Sequence, residues 1–133
     1  MKLIVHVDGG SRGNPGPAAA GAVLQTPEGA VVAEATRTIG RASNNVAEYQ
    51  GLLLGLERAR ELGATAVEVI NDSELIAKQV NGVYKVKHAD MKPLHSRARA
   101  ALREFEEWSI RSVPRAENAH ADALVNAALD GTR

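Results

Sequence analysis

The sequence predicts an α/β fold in which helices pack on a mixed β-sheet. Three strand-like segments precede the first helical segment, and strands and helices alternate after it in the order β-β-β-α-β-α-α-β-α. A meander followed by helix-linked strands is typical of a mixed sheet. The chain has 133 residues, 44% of them hydrophobic, which is enough for the core of one domain, and we expect that domain to span residues 1–133.

The composition excludes several classes of protein. The absence of cysteine excludes disulfides, zinc–thiolate sites and cysteine nucleophiles. Aromatic residues make up only 3% of the chain, too few for broad surfaces that stack single-stranded bases. Sixteen basic and sixteen acidic residues cancel, which excludes a general cationic coat but leaves room for a local basic patch. Because no apolar run approaches the ~20 residues of a membrane span and no signal peptide is evident, we expect a soluble, cytoplasmic protein without membrane contact.

Three strands are predicted before the first helix, at residues 3–7, 19–26 and 30–39. Residues 3–7 are mostly apolar, as in a buried strand. Residues 9–17 read Gly-Gly-Ser-Arg-Gly-Asn-Pro-Gly-Pro and predict a loop, since glycine and proline disfavour helix. The Thr-Pro-Glu-Gly sequence at 26–29 suits a hairpin turn between the second and third strands.

The remaining segments alternate between helix and strand. The first helix is predicted from the Ser-Asn-Asn sequence at 43–45 to Gly63, because Ser and Asn are good N-caps and glycine commonly follows a helix. Residues 83–92 have no clear pattern. The other predicted elements are a strand at 66–70, a short helix from Ser73 to about Val80, a helix at 93–107, a strand at 108–113 and a helix at 118–129.

Four acidic residues lie where a carboxylate is unexpected. Asp8 ends the first strand and Asp72 ends the fourth. If these strands are parallel neighbours, their ends lie ~4.8 Å apart, at the edge of the sheet where α/β proteins commonly bind ligands. Glu48 falls on the inward apolar stripe of the first helix, and Asp122 falls on that of the last.

Each of these acids has a simple explanation when taken alone. An Asp between a strand and a helix is often an N-cap, and an acid in the first turn of a helix complements its dipole. Together they are harder to explain, because no matching set of arginines is evident and crowded carboxylates take up protons or bind cations. Mg²⁺ is the cation that best suits such oxygen ligands. Two such ions ~3.5–4 Å apart promote phosphodiester hydrolysis.

Four segments together resemble the type 1 ribonuclease H family. They are Val-Asp-Gly-Gly-Ser-Arg-Gly-Asn-Pro-Gly at 7–16, Asn-Asn-Val-Ala-Glu-Tyr at 44–49, Asn-Asp-Ser at 71–73 and Asn-Ala-His-Ala-Asp-Ala-Leu at 118–124. The resemblance implies the ribonuclease H-like fold, a five-stranded mixed sheet flanked by helices. It also implies endonucleolytic hydrolysis of the RNA strand of RNA–DNA hybrids with two Mg²⁺ ions, which Mn²⁺ is expected to replace, leaving 5′-phosphate and 3′-hydroxyl ends.

The resemblance also assigns roles to individual residues. Asp8 is expected to bridge both metal ions, Asp122 to help hold the ion that activates water, and Glu48 and Asp72 to help hold the other. Asn14, Asn44 and Asn45 match positions that contact the hybrid, although turn formation or helix capping would also explain them. Arg115 resembles the arginine of short family members and would hold the scissile phosphate. Gly9 and Gly10 are expected to allow the substrate to approach the backbone closely.

The chain departs from many family members between its second and third helices. They carry a long basic protrusion, whereas the segment at 82–92 is short. From Lys78 to Arg103, however, seven basic residues accompany one acid, a balance of +6. This predicts a reduced phosphate-binding surface, with a solvated helix face as the simpler alternative.

Two other functions are compatible with the sequence. One is a module that binds hybrids without cutting them, but such a binder gains nothing from concentrated negative charge beside phosphates. The other is a broader nuclease that also cuts double-stranded RNA. In every case the expected partner is a hybrid or RNA duplex, and the protein is expected to be a monomer.

Overall fold

One five-stranded sheet organises the molecule. The computed structural model describes residues 1–131, so the last two residues of the predicted domain lie outside the described residues. The strands are β1 (Lys2–Ser11), β2 (Gly16–Gln25), β3 (Val31–Ala42), β4 (Ala66–Asn71) and β5 (Glu107–Ser112). They lie in the order β3-β2-β1-β4-β5, with β1 antiparallel to β2, β2 antiparallel to β3, and β1, β4 and β5 parallel. The predicted mixed sheet is confirmed, and the first and fourth strands meet the condition of being parallel neighbours.

Helices cover both faces of the sheet. They are α1 (Asn44–Glu61), α2 (Glu74–Val80), α3 (Lys92–Leu102) and α4 (Ala119–Asp130), the last preceded by a 3₁₀ turn at Arg115–Asn118. The main core lies between the sheet and the helices α1 and α3, and α4 packs on the opposite face. No helix within residues 1–131 combines the length and apolar character needed to cross a membrane.

Helix α1 lies unusually close to β1. A Cβ atom added to Gly51 would lie 2.3 Å from the Asp8 carbonyl oxygen, and one added to Gly55 would lie 2.6 Å from Val7 Cγ1. On the strand, a Cβ atom at Gly9 would lie only 2.0 Å from the Ala47 carbonyl oxygen. Both elements therefore need glycine at their contact, and this contact sets Glu48 beside the end of β1.

Two predicted boundaries are wrong. The glycine-rich segment was expected to be a loop over 9–17, but Gly9, Gly10 and Ser11 pair with β2, so only residues 12–15 connect the strands. Backbone pairing needs no side chain, and Gly13 alone in this stretch requires a positive φ, 86°. Helix α3 ends at Leu102 instead of residue 107, because the chain turns so that Phe105 enters the main core.

Candidate functional site

The four predicted carboxylates line one open pocket at the carboxyl end of β1 and β4. Asp8 belongs to β1, Glu48 to the start of α1 and Asp122 to the start of α4, and Asp72 directly follows β4. Four elements distant in sequence thus each bring one acid to the pocket. Four of the six residues predicted to contact the substrate also line this pocket, namely Gly9, Gly10, Asn44 and Arg115.

The pocket disfavours negative charge on its acids. Burial raises the pKa of Asp8 to about 8, with further contributions from the charges of Asp72 and Asp122. Burial and the charge of Asp72 raise the pKa of Glu48 to about 7, although a hydrogen bond with Ser73 acts in the opposite direction. Burial also raises the pKa of Asp72, opposed by the nearby charge of Arg115. Such carboxylates hold protons near neutral pH unless a cation neutralises them.

Arg115 is the basic side chain that contacts these acids directly. Its Nη2 lies 3.2 Å from Oδ1 of Asp122, and the arginine side chain is 74% exposed. An exposed pair of this kind contributes little to stability, so Arg115 remains available to an anionic ligand. Asp8, Glu48 and Asp72 have no basic side chain in salt-bridge contact within the described part of the chain, although the charge of Arg115 also acts on Asp72.

The donor set fits a hard divalent cation in its chemistry. Carboxylate oxygens are the ligands that Mg²⁺ prefers, and the raised pKa values are relieved when a cation binds. The side chains surround the pocket without being in coordination geometry, since no three acidic or histidine side chains within residues 1–131 are grouped tightly enough to bind one ion. Asp8, Glu48, Asp72 and Asp122 are the residues that could hold a metal after turning further inward.

Hydrogen bonds orient two of the predicted asparagines. Oδ1 of Asn44 accepts from the backbone nitrogen of Ser11 at 2.9 Å and from its Oγ at 3.1 Å. Oδ1 of Asn14 accepts from the backbone nitrogen of Asn44 at 3.1 Å. Neither Nδ2 group donates to a protein atom within residues 1–131. Asn44 lines the carboxylate pocket, Asn14 reaches it only through Asn44, and Asn45 does not line it.

The structure also tests the simpler explanations for several residues. Ser43 caps α1 through its side chain and Ser73 caps α2, so helix capping explains neither Asn44 and Asn45 nor Asp72. Gly9 is required by the contact with α1, which is independent of any substrate. A Cβ atom at Gly10 would approach nothing closer than 3.9 Å, so this position is open to the pocket.

Several residues of the site were not predicted. Ser11 orients Asn44, Ser73 interacts with Glu48, and Nδ2 of Asn126 lies 3.4 Å from Oδ2 of Asp122. Asn118 is buried and bonded to the backbone of β1. The available sequence signal was weak: Asn118 and Asn126 each lie one helical turn from Asp122, before and after it.

Comparison with known proteins agrees with this arrangement. The sequence matches the family described as "Reverse transcriptase-like" over residues 6–128. The fold superimposes on the crystal structure of RNase H1 from the archaeon Halobacterium salinarum NRC-1 with a TM-score of 0.97 and 47% identity, covering 99% of this chain and 100% of that one. The chain belongs to the type 1 ribonuclease H family. The resemblance and the ribonuclease H-like fold predicted from the sequence are thereby confirmed.

Two further members of the type 1 ribonuclease H family place this chain in context. LC11-RNase H1, crystallised in complex with an RNA/DNA hybrid, is 40% identical with a TM-score of 0.92, and the match covers 97% of each chain. The bifunctional protein Rv2228c of Mycobacterium tuberculosis is 50% identical over 98% of this chain. The chain spans only 36% of the length of that mycobacterial relative.

Proposed function

We propose that this chain is an endonuclease that hydrolyses the RNA strand of RNA–DNA hybrids, using two Mg²⁺ ions and leaving 5′-phosphate and 3′-hydroxyl ends. The observation that carries the proposal is the pocket in which Asp8, Glu48, Asp72 and Asp122 meet, with only Arg12 and Arg115 as basic residues in its described lining. A relative with 40% identity over nearly the whole chain has been crystallised with an RNA/DNA hybrid, which supports the choice of substrate.

The four carboxylates are proposed to hold the ions. Asp8 would be shared by both, Asp122 would help hold one, and Glu48 and Asp72 the other. When bound, such ions activate a water molecule and stabilise the leaving oxygen at phosphorus, and Mn²⁺ is expected to replace Mg²⁺. The residues of the chain supply the binding sites, and the raised pKa values of Asp8 and Glu48 mean that the acids must lose protons when cations bind.

The polar residues beside the pocket are proposed to recognise the duplex. Because Oδ1 of Asn44 already accepts two hydrogen bonds and Oδ1 of Asn14 accepts one, both side chains keep their Nδ2 donors for a ligand. Such donors suit the acceptors of the minor groove and the 2′-hydroxyl of RNA, the group by which RNA is distinguished from DNA. Asn45 is proposed to take part at the edge of this surface. Glu48 is proposed to lie near the 2′-hydroxyl as well.

The backbone of the duplex would meet basic groups at two places. Arg115 is proposed to leave Asp122 and to hold the scissile phosphate through its guanidinium. A second, shallow cavity between α2 and α3 is lined by Lys85, Lys92 and Arg99 and has no acidic residue in its lining. This cavity is proposed to be the reduced phosphate-binding surface.

Hydrolysis of a labelled RNA–DNA hybrid in Mg²⁺ tests the proposal. Asp8→Asn is expected to lower the cleavage rate at least about 100-fold, because a residue that binds the metal directly should matter at least as much as its outer-shell partners. Asp90→Asn, in the exposed segment before α3, is the matched control and is expected to cut like wild type.

Two outcomes would contradict the proposal. Equal rates for wild type and Asp8→Asn would remove the metal-site assignment. Salt-sensitive binding of the hybrid without any turnover would favour the non-catalytic binding module. The same assay with double-stranded RNA decides whether the activity is broader. The single domain over residues 1–133, the monomeric state and the cytoplasmic location stay predictions.

A further inference from the structure

Asn118 makes an unusual hydrogen bond at the start of α4. It occupies the N-cap position, where an asparagine side chain normally accepts an N–H from the first turn, but no such bond is present. Its Nδ2 instead donates to the carbonyl oxygen of Val7 at 2.9 Å. The residue is 1% exposed, and its side chain also interacts with His6 of β1, which opposes the lowering of the His6 pKa by burial. The residue therefore forgoes its usual capping bond in favour of a bond to the central strand.

This bond joins the two elements that carry Asp8 and Asp122. Val7 directly precedes Asp8 in β1, and Asn118 lies four residues before Asp122. Asn118 bonds to Val7 and the side chain of Asp122 interacts with that of Asp8, so both residues face β1. This directional contact ties the start of α4 to the end of β1, whereas the contact between His120 and Glu34 ties the same turn of α4 to β3.

The packing beneath α4 does not by itself fix the position of the helix along the sheet, so the hydrogen bond of Asn118 matters for that position. Gly21 pairs with Asp8 in the sheet, and a Cβ atom added to it would lie 3.2 Å from the Ala121 carbonyl oxygen. The sheet beneath α4 is therefore smooth, and its small cluster of buried side chains consists of Ala19, Val125 and Leu129. Packing against small side chains sets the height of a helix above a sheet, but it does little to stop the helix from sliding. A hydrogen bond depends on both distance and angle, so it fixes the position along the strand.

We propose that Asn118 is a positioning residue, which holds Asp122 opposite Asp8 at the separation that the metal ions need. The inference rests on the proposed function and deepens it by naming a residue that acts on the ions through their ligand. Residues that orient metal ligands in this way commonly affect metal affinity without touching the substrate.

Asn118→Ala tests the inference through metal binding, with no substrate present. Mn²⁺ binding, followed by the electron paramagnetic resonance signal of the free ion, is expected to weaken about 10- to 100-fold. In cleavage assays the half-saturating Mg²⁺ concentration is expected to rise by a similar factor. The KM for the hybrid at saturating Mg²⁺ is expected to stay unchanged, because Asn118 is buried beneath the helix.

Asn81→Ala is the matched control. Nδ2 of Asn81, at the end of α2, donates to the carbonyl oxygen of Ile110 at 3.0 Å, so it also ties a helix end to a strand. It touches none of the four acids. This variant is expected to lose some thermal stability and to keep the wild-type response to metal.

The results distinguish a failure of the positioning role of Asn118 from a failure of the proposed nuclease function. If folded Asn118→Ala binds Mn²⁺ as tightly as wild type, or if Asn81→Ala loses the same affinity, the positioning role is wrong. If wild type itself neither binds Mn²⁺ nor cuts the hybrid, the proposed function fails first. If Asn118→Ala does not fold, Asn118→Ser, whose shorter hydroxyl cannot reach the Val7 carbonyl in the same geometry, is measured in its place with the same expectations.

Discussion

At the scale of single residues, Asp8 shows the strongest conflict between burial and charge. Asp8 is only 7% exposed, and the pKa of its carboxyl group is raised from 3.8 to about 8. Between these two values, the metal-free folded protein keeps a proton that the unfolded chain releases. The resulting stabilisation is complete below the unfolded pKa and is lost as the pH rises through the folded one. Glu48, with its pKa raised to about 7, acts in the same direction.

This linkage predicts the effect of pH on stability. Without divalent cations, the free energy of unfolding of wild type is expected to fall as the pH rises from 4 to 8. Asp8→Asn carries no charge at any pH, so it is expected to be more stable than wild type at pH 8, by roughly 2–4 kcal/mol. Urea denaturation at several pH values measures this difference. If the free energies of unfolding of the two proteins change with pH in parallel, the proton on Asp8 does not contribute to stability. Added Mg²⁺ is expected to stabilise wild type but not Asp8→Asn.

Local rules were enough to predict the acidic residues but not their supporting partners. A carboxylate at a strand end or on an apolar helix stripe stands out in the sequence, and Asp8, Glu48, Asp72 and Asp122 indeed share a pocket. Asn118 gave no comparable signal, because an asparagine before a helix normally indicates an N-cap. Its burial and its bond to Val7 exist only after β1 and α4 have come together.

At the scale of elements, the contact between α1 and β1 determines the distance between Glu48 and Asp8. Replacing Gly51 by alanine is expected to destabilise the protein by about 1–2 kcal/mol. Alanine improves helix propensity by about 1 kcal/mol, but overpacking costs about 1–3 kcal/mol. The overlap here is with a backbone oxygen at 2.3 Å, which cannot rotate away. Because α1 must move away from β1, the cleavage rate is expected to fall as well.

Denaturation and cleavage assays on Gly51→Ala test this expectation. Gln50→Ala, the neighbouring position on the same helix, is the control for stability and is expected to change the free energy of unfolding by less than about 0.5 kcal/mol. An increase in the stability of Gly51→Ala would show that helix propensity outweighs the close contact.

The elements themselves were largely predictable, whereas some of their ends were not. Serine, asparagine and glycine marked the two ends of α1, and the structure has it at Asn44–Glu61. The end of α3 was misjudged because Phe105 continues the apolar pattern of the helix, although it enters the core from a turn. The ends of β1 and β2 were misjudged because glycines that usually indicate a loop here form backbone pairs.

At the scale of the whole molecule, a balanced net charge conceals an uneven distribution. The chain has sixteen basic and sixteen acidic residues, yet four acids meet in one pocket and basic residues line the cavity between α2 and α3. Lys78 lies 5.1 Å from the ring of the exposed Tyr84 at the edge of that cavity. Substrate binding is therefore expected to depend strongly on ionic strength, since phosphate contacts release counterions.

The double variant Lys85→Ala with Lys92→Ala tests the electrostatic contribution of this cavity. It is expected to raise the KM for the hybrid at low salt and to reduce the slope of log KM against log salt concentration by about 1–2. Lys2→Ala is the control, because Lys2 lies at the opposite end of β1 from Asp8 and pairs with Glu68. Identical slopes for wild type and the double variant would mean that these lysines belong to a merely solvated surface.

The arrangement of the sheet followed from the order of its elements. A strand, a helix and a parallel strand make a crossover, which is compatible with the observed pairing of β4 beside β1, although the sequence supplied this pairing only as a condition. The face occupied by each helix was not predictable, because α1 and α4 both bury apolar side chains. Which face each one covers depends on connections that no local pattern describes.

The hydrogen bonds of Asn14, Asn44 and Ser11 have a consequence for how recognition and folding could evolve separately. In each asparagine the oxygen accepts a hydrogen bond from the chain, and the nitrogen donates to no protein atom within residues 1–131. Aspartate has the same shape and preserves the oxygen, but it lacks the nitrogen. The hydrogen bonds within the protein thus constrain the Oδ1 atom of each asparagine, whereas a bound ligand would select for the Nδ2 group.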